Sequence, residues 1–208
     1  MLAPAERAAL RWLAARMPAW VTPDHLTALG LAAMAVAGAC YALSRSNPLW
    51  LHAVNAALAA NWFGDSLDGT LARYRNKQRP RFGFYVDHII DAFGALFLLG
   101  GLALSGWVTP WVAVALVVVY YMLSINIYLT TYALGVFKIS YGAFGGTELR
   151  VLVALANLVV LVCPRVDVLG RSLLLLDLAG TAGIAGLLFV LLTSVAKTTA
   201  RLYHMERV

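Results

Sequence analysis

The chain has 208 residues, 62% of them hydrophobic and only 12% charged, with a mean hydropathy of +0.78. A water-soluble domain sits nearer half apolar and a quarter charged, so too little polar surface remains to cover a soluble globule, and lipid must solvate much of a single domain. That excludes a secreted disulfide scaffold, a disordered chain and an ordinary cytosolic enzyme, and it makes the net charge of +6 a matter of membrane orientation, with no nucleic-acid partner expected.

Arg7, Arg11 and Arg16 are spread through the N-terminal segment and do not precede an apolar block, so no cleavable signal peptide is expected there. Leu10, Leu13, Met17 and Trp20 recur at helical spacing between flanking arginines. This pattern suits an interfacial amphipathic helix over residues 1–21, lying on the inner leaflet. The alternative is an ordinary helix packed against the rest of the chain.

A spanning helix needs about 20 mainly apolar residues. Candidates follow at Leu26–Leu43, Leu49–Phe63, His88–Ser105, Pro110–Leu134, Leu149–Val162 and Leu173–Val195, the second and fifth being short. Breaks fall at Ser44–Pro48, Arg73–Phe82, Gly106–Pro110, Gly135–Gly146 and Pro164–Gly170. The expected fold is an all-α integral membrane protein with six transmembrane helices, a single membrane domain over 1–208 with its bundle at 22–208. With six crossings, 13 of the 16 Lys and Arg residues fall on one side, including the run Arg73, Arg75, Lys77, Arg79 and Arg81. Only Arg45, Arg165 and Arg171 fall on the other. The positive-inside rule then puts both termini in the cytoplasm, in a multi-pass inner (plasma) membrane protein. Trp12, Trp20, Trp50, Trp62, Trp107 and Trp111 lie near crossing ends and read as an aromatic belt. Cys40 and Cys163 read as small lipid- or core-facing residues without metal-ligand spacing.

The acids are unevenly placed. Asp65 and Asp68 end one apolar run, and Asp87 and Asp91 begin the next. Charges at membrane depth cost a few kcal/mol each even on lenient scales, so by default they mark function. Each pair shares a helix face, and a short connection lets the two faces meet, where the carboxylates would repel one another. Hard divalent cations remove that conflict, and an oxygen-only donor set suits two Mg²⁺ or Mn²⁺ ions. Gly69 and Ala72 remove bulk from the face carrying Asp65 and Asp68, Arg73 stands one turn further on where it can pair with a phosphate, and Gly83 permits close approach before the second pair. Two metals, a cation and a flat platform form the equipment of displacement at phosphorus.

The stretch Asp65-Ser-Leu-Asp68-Gly69-Thr-Leu-Ala72-Arg73, followed after nine residues by Gly83-Phe-Tyr-Val-Asp87-His-Ile-Ile-Asp91, resembles the signature of the CDP-alcohol phosphotransferases at all eight of its fixed positions. The segment Thr22-Pro-Asp24-His-Leu-Thr27 is similar, more weakly, to the family's first-crossing segment. The resemblance implies that Asp65, Asp68 and Asp87 are metal ligands and that Asp91 both touches a metal and takes the acceptor's proton. It implies that Asp24, Thr27, Gly69, Ala72, Arg73 and Gly83 bind CDP, and that a phosphatidyl group passes from a CDP-alcohol, CDP-diacylglycerol above all, to a small alcohol acceptor with release of CMP. Members are commonly homodimers.

The acceptor is left open. Thr147 and Glu148 suit the start of the fifth crossing as a cap and a favourable first-turn acid. Alternatively Glu148 selects an amino alcohol, or Arg150 or Lys138 a phosphorylated one. The segment Phe144–Arg150 loosely resembles a Gly-Pro-x-Glu element of amino-alcohol phosphotransferases, with Gly146 where proline would stand, so transfer of a head group from a CDP-amino alcohol to a lipid is a second reading. An ion or proton carrier would use Asp177, which reads better as a local cap. An intramembrane prenyltransferase would want two acid-rich motifs on separate parts of a longer bundle. His88 reads as structural, and His25, His52 and His204 suggest no role.

Overall fold

The computed structural model describes residues 3–135, 145–168 and 170–206. It is built of helices α1 (Ala3–Arg16), α2 (Pro23–Leu43), α3 (Trp50–Tyr74), α4 (Pro80–Ser105), α5 (Pro110–Leu134), α6 (Gly146–Val162) and α7 (Leu175–Met205), with strands β1 (Arg165–Val168) and β2 (Arg171–Leu174) before the last helix. Every expected crossing is occupied by a helix, and the protein is an all-α membrane protein. Helices α2, α4, α5 and α7 are long and apolar enough to cross a membrane by themselves. The other two depart for separate reasons. Helix α6 has 17 residues, while α3 has 25 but is diluted by His52, Asn55, Asn61, Asp65 and Asp68.

Local chemistry sets the helix ends. Thr22 accepts the His25 backbone N–H, and the His25 ring accepts the Thr22 N–H, a capping box that gives His25 a role. Prolines open α2, α4 and α5, where a missing N–H costs nothing. The stretch expected to be a plain break at Pro164–Gly170 instead folds with Arg171–Leu174 into a hairpin, Arg165 pairing with Leu174 and Val168 with Arg171. Helix α7 therefore starts at Leu175, two residues later than expected.

Helix α2 is central, packed on α3 and α4; α5 lies between α4 and α7, and both α1 and α6 lean on α3. Ala37, Cys40 and Tyr41 of α2 form a core with Leu51, Val54, Ala57 and Leu58 of α3 and Val160 of α6. Polar side chains bind the same helices: Tyr41 donates to Asn157 Oδ1 (2.7 Å), Asn157 to Asn55 Oδ1 (2.8 Å), and Asn55 to the Ala154 carbonyl (3.1 Å). Each such intramembrane bond is worth about 1 kcal/mol, and together they explain why α3 tolerates its polar residues.

The apolar stripe of α1 does not face lipid. Leu10 and Ala14 are buried against Leu26, Leu67 and Leu71, with Leu13 and Met17 alongside. The outward face carries Trp12, stacked under Arg16 at 4.1 Å, and Trp20 stays exposed. Arg75, expected only as an orientation charge, clamps the α1–α2 link by donating to the carbonyls of Met17 (2.9 Å), Pro18 (2.8 Å) and Val21 (2.5 Å). Two of the tryptophans also bind polar groups, Trp62 donating to Glu6 (2.8 Å) and Trp107 to Ser44 Oγ (2.9 Å). Asp177 pairs across the fold and not locally, accepting the Thr109 N–H (2.6 Å) and hydroxyl (2.7 Å) at the start of α5.

The backbones of α2 and α4 approach closely at two glycines. A Cβ at Gly38 would collide with the Phe97 carbonyl, and one at Gly101 with the Gly38 carbonyl, whereas a Cβ at Gly100 meets nothing within 4 Å. Gly101→Ala should therefore push α4 off α2 and cost at least the 1–3 kcal/mol typical of overpacking. Gly100→Ala, one residue away, should leave the melting temperature in detergent unchanged. Equal melting temperatures for the two variants would refute the contact.

Candidate active site

The second half of α3 and the first half of α4 bring the four aspartates to one end of the bundle, beside the N-termini of α2 and α6. Asp65 acts electrostatically on Asp68, Asp87 and Asp91 alike. Asp68 is buried. One of its oxygens accepts the Thr27 hydroxyl at 2.6 Å and the other the Gly69 backbone N–H. Asp65 accepts from Arg150 Nη2 at 2.5 Å, while Arg150 Nε donates to Asn61 Oδ1 at 2.7 Å. Among the described residues no Lys or Arg forms an ion pair with Asp68, Asp87 or Asp91.

An open cleft of about 90 Å³ lies between the starts of α2 and α4 and the end of α3. Asp24, Thr27, Gly69, Ala72 and Gly83 all line it, together with Asp68, Asp87, Lys77 and Arg79. Arg73 stands over Gly69, where a Cβ would lie 3.4 Å from its guanidinium, and donates to Thr70 Oγ1 at 3.2 Å. Asp24 is ion-paired with Arg79 across the mouth. Asp65 and Asp91 are not among the lining residues, and Asp65 is held by Arg150 of α6. Asp91 lies within electrostatic reach of Arg150 and of Tyr120 and Tyr128 of α5. His88 packs between Phe84 (4.3 Å) and Tyr128 (4.9 Å), in keeping with a structural role.

Among the described residues no group of three or more His, Cys, Asp or Glu side chains is drawn together as a metal site. The donor set is nonetheless all carboxylate oxygen, and among the described residues three of its four members form no ion pair with Lys or Arg, which suits a hard divalent ion.

The acceptor candidates divide. Arg150 reaches the aspartates. Glu148 accepts the Gly145 N–H at 3.1 Å and so serves the helix start, and Lys138 lies outside the described residues. Thr147 does not cap α6: its hydroxyl donates to Glu6 of α1 at 2.6 Å, and Gly145 occupies the cap position. Four residues escaped the sequence reading: Asn61, Glu6, Tyr120 and Tyr128. Asn61 and Glu6 are isolated polar residues within helical stretches, and the tyrosines look like ordinary apolar filling.

A family model described as CDP-alcohol phosphatidyltransferase matches residues 20–196. The chain belongs to this family. Cholinephosphotransferase 1 of Gallus gallus is 26% identical over 161 residues, covering 73% of this chain and 47% of the relative. The chain thus spans about half the length of that relative.

The Thr147 hydroxyl holds the Glu6 carboxyl below its ordinary value of 4.5, aided by Trp62 and Arg150 and opposed by burial. A depressed value means that the contacts stabilise the fold above the unfolded carboxyl's value and are lost as pH falls through the folded one. The melting-temperature deficit of Glu6→Gln should therefore be largest near neutral pH and shrink below about pH 4.5. A deficit independent of pH would remove the charge from the account.

Proposed function

We propose that the protein transfers a phosphatidyl group from CDP-diacylglycerol to a small alcohol and releases CMP, as a step in phospholipid biosynthesis. The observation that carries this is the placement of all eight motif residues on two facing helix ends, with Gly69, Ala72 and Gly83 forming the wall of a cleft that Asp68 and Asp87 enter. In this reading Asp24, Thr27, Gly69, Ala72, Arg73 and Gly83 hold the CDP portion, the absent Cβ at the glycines allowing close approach. Asp65, Asp68, Asp87 and Asp91 would hold two divalent ions, Mg²⁺ or Mn²⁺. Bound there, such ions supply charge neutralisation for the diphosphate and for departing CMP.

The remaining steps belong to the chain. Thr27 and the Gly69 N–H fix the rotamer of Asp68, and Arg150 fixes that of Asp65. Asp91 accepts the proton of the acceptor hydroxyl as its oxygen bonds to the lipid-linked phosphorus, and the bond from that phosphorus to the CMP oxygen breaks in line. Arg73 stands where it can offset charge on the nucleotide phosphates. In this reading the acceptor approaches from the side of Arg150, Tyr120 and Tyr128, and this end of the bundle faces the cytoplasm, in keeping with the cation bias, within one membrane domain.

The likeness to a cholinephosphotransferase favours a second reading, in which a head group moves from a CDP-amino alcohol to a lipid alcohol. A donor–acceptor matrix separates the two. Purified protein with Mg²⁺ should release CMP from CDP-diacylglycerol with one of glycerol 3-phosphate, serine, inositol, inositol phosphate or choline. Release from CDP-choline plus diacylglycerol alone would transfer the assignment to the second reading, and release from neither would overturn both.

Asp91→Asn should lower CMP release by about 10²–10⁴-fold, the usual worth of a general base, while CDP binding measured by calorimetry stays within threefold. Asp68→Asn should raise the Mg²⁺ concentration for half-maximal rate as well as lower the rate. An unchanged Mg²⁺ requirement would show that Asp68 is no ligand.

A further inference from the structure

We propose that Glu6 is a positioning residue, latching α1 to α6 and thereby setting Arg150 against Asp65. The proposal rests on the reading that Asp65 belongs to the reacting centre. One carboxylate oxygen of Glu6 accepts two bonds, from Trp62 Nε1 of α3 at 2.8 Å and from the Thr147 hydroxyl of α6 at 2.6 Å. Both donors lie one turn from the contact they would control. Thr147 stands three residues before Arg150 and Trp62 three before Asp65, so each shares a helix face with its partner. Asn61, beside Trp62, accepts Arg150 Nε, and Glu6 is itself within electrostatic reach of Arg150.

Packing does not set the spacing of α3 and α6 at this end. A largely apolar cleft of about 260 Å³ opens between them, lined in part by Trp62, Thr147, Arg150 and Val151. Where side chains leave such a gap, directional bonds decide how close the helices stand. The Glu6 carboxylate crosses from α1 to supply two of them. Without it, α6 can drift from α3, and the Arg150 fork, whose fixed geometry must satisfy Asn61 and Asp65 together, loses its register on Asp65.

A residue that only anchored α1 would cost stability without a kinetic signature, and this separates the two roles. Purified parent, Glu6→Ala, Glu6→Gln and Thr147→Val would be compared for CMP release over a range of CDP-diacylglycerol. In parallel, the distance between nitroxide labels at Tyr74 on α3 and Leu149 on α6, both more than half exposed, would be measured with Cys40 and Cys163 replaced.

Glu6→Ala should broaden the distance distribution and lower kcat about tenfold, with KM for the donor within twofold. Glu6→Gln, which keeps an acceptor oxygen, should recover most of the rate. A Glu6→Ala, Arg150→Lys double variant should be no slower than Arg150→Lys alone, because the two changes act through one contact. An unchanged distance distribution overturns the latch. An unchanged kcat, or additive losses with no rescue by glutamine, overturns the positioning role. A parent that releases no CMP from any donor overturns the transferase reading instead, and the distances still decide the latch.

Discussion

Four carboxylates at one end of a helical bundle, three of which form no ion pair with Lys or Arg among the described residues, are an electrostatic cost that the rest of the protein has to hold. Like charges gathered in a poorly solvated site repel, and it is packing on α2 that keeps α3 and α4 beside each other. The opposition comes from contacts remote from the acids. Gly38 and Gly101 bring the backbones of α2 and α4 together, and the Tyr41–Asn157–Asn55 chain ties α2, α3 and α6. A polar cluster is thus mounted on a rigid apolar frame, the arrangement expected where strain at a site is offset by packing elsewhere.

Each acid is also held differently, and the differences carry chemical meaning. Asp68 is buried and receives a hydroxyl and a backbone N–H, which restrains it without adding charge. Asp65 receives a guanidinium, which both restrains it and offsets its charge. Among the described residues neither Asp87 nor Asp91 forms an ion pair with Lys or Arg, and Asp87 lines the cleft while Asp91 does not. A proton-accepting carboxylate has to keep an oxygen available to an incoming hydroxyl, the role proposed for Asp91.

The motif itself was legible because its eight residues fall within a short stretch and helix geometry alone puts each aspartate pair on one face. The rest was not, for a consistent reason. Thr27 with Asp68 is a pairing over 41 residues, Arg150 with Asp65 over 85, and Glu6 with Thr147 over 141, and no local periodicity encodes such partners. Helix α1 displays the same problem in another form: its stripe was correctly seen as apolar, yet apolarity does not say whether lipid or α3 will cover it. The hairpin before α7 was missed because a four-residue strand in a stretch with proline and glycine reads as a turn.

The pairing of Arg150 with Asp65 bears on how the two sides of the site are kept apart. The cleft between α2 and α4 presents Gly69, Ala72 and Gly83 together with Asp24, Asp68, Asp87, Lys77 and Arg79, so small residues leave room beside charges of both signs. Arg150 lies outside that lining, bonded to Asn61 and Asp65, and borders a second, largely apolar cleft with Trp62 and Thr147. On the proposed function, the charged nucleotide suits the first cleft better than the second. In-line displacement demands that the nucleophile and the leaving group enter from opposite directions, which on that reading requires the acceptor to reach Asp91 from outside the first cleft, whose lining does not include it.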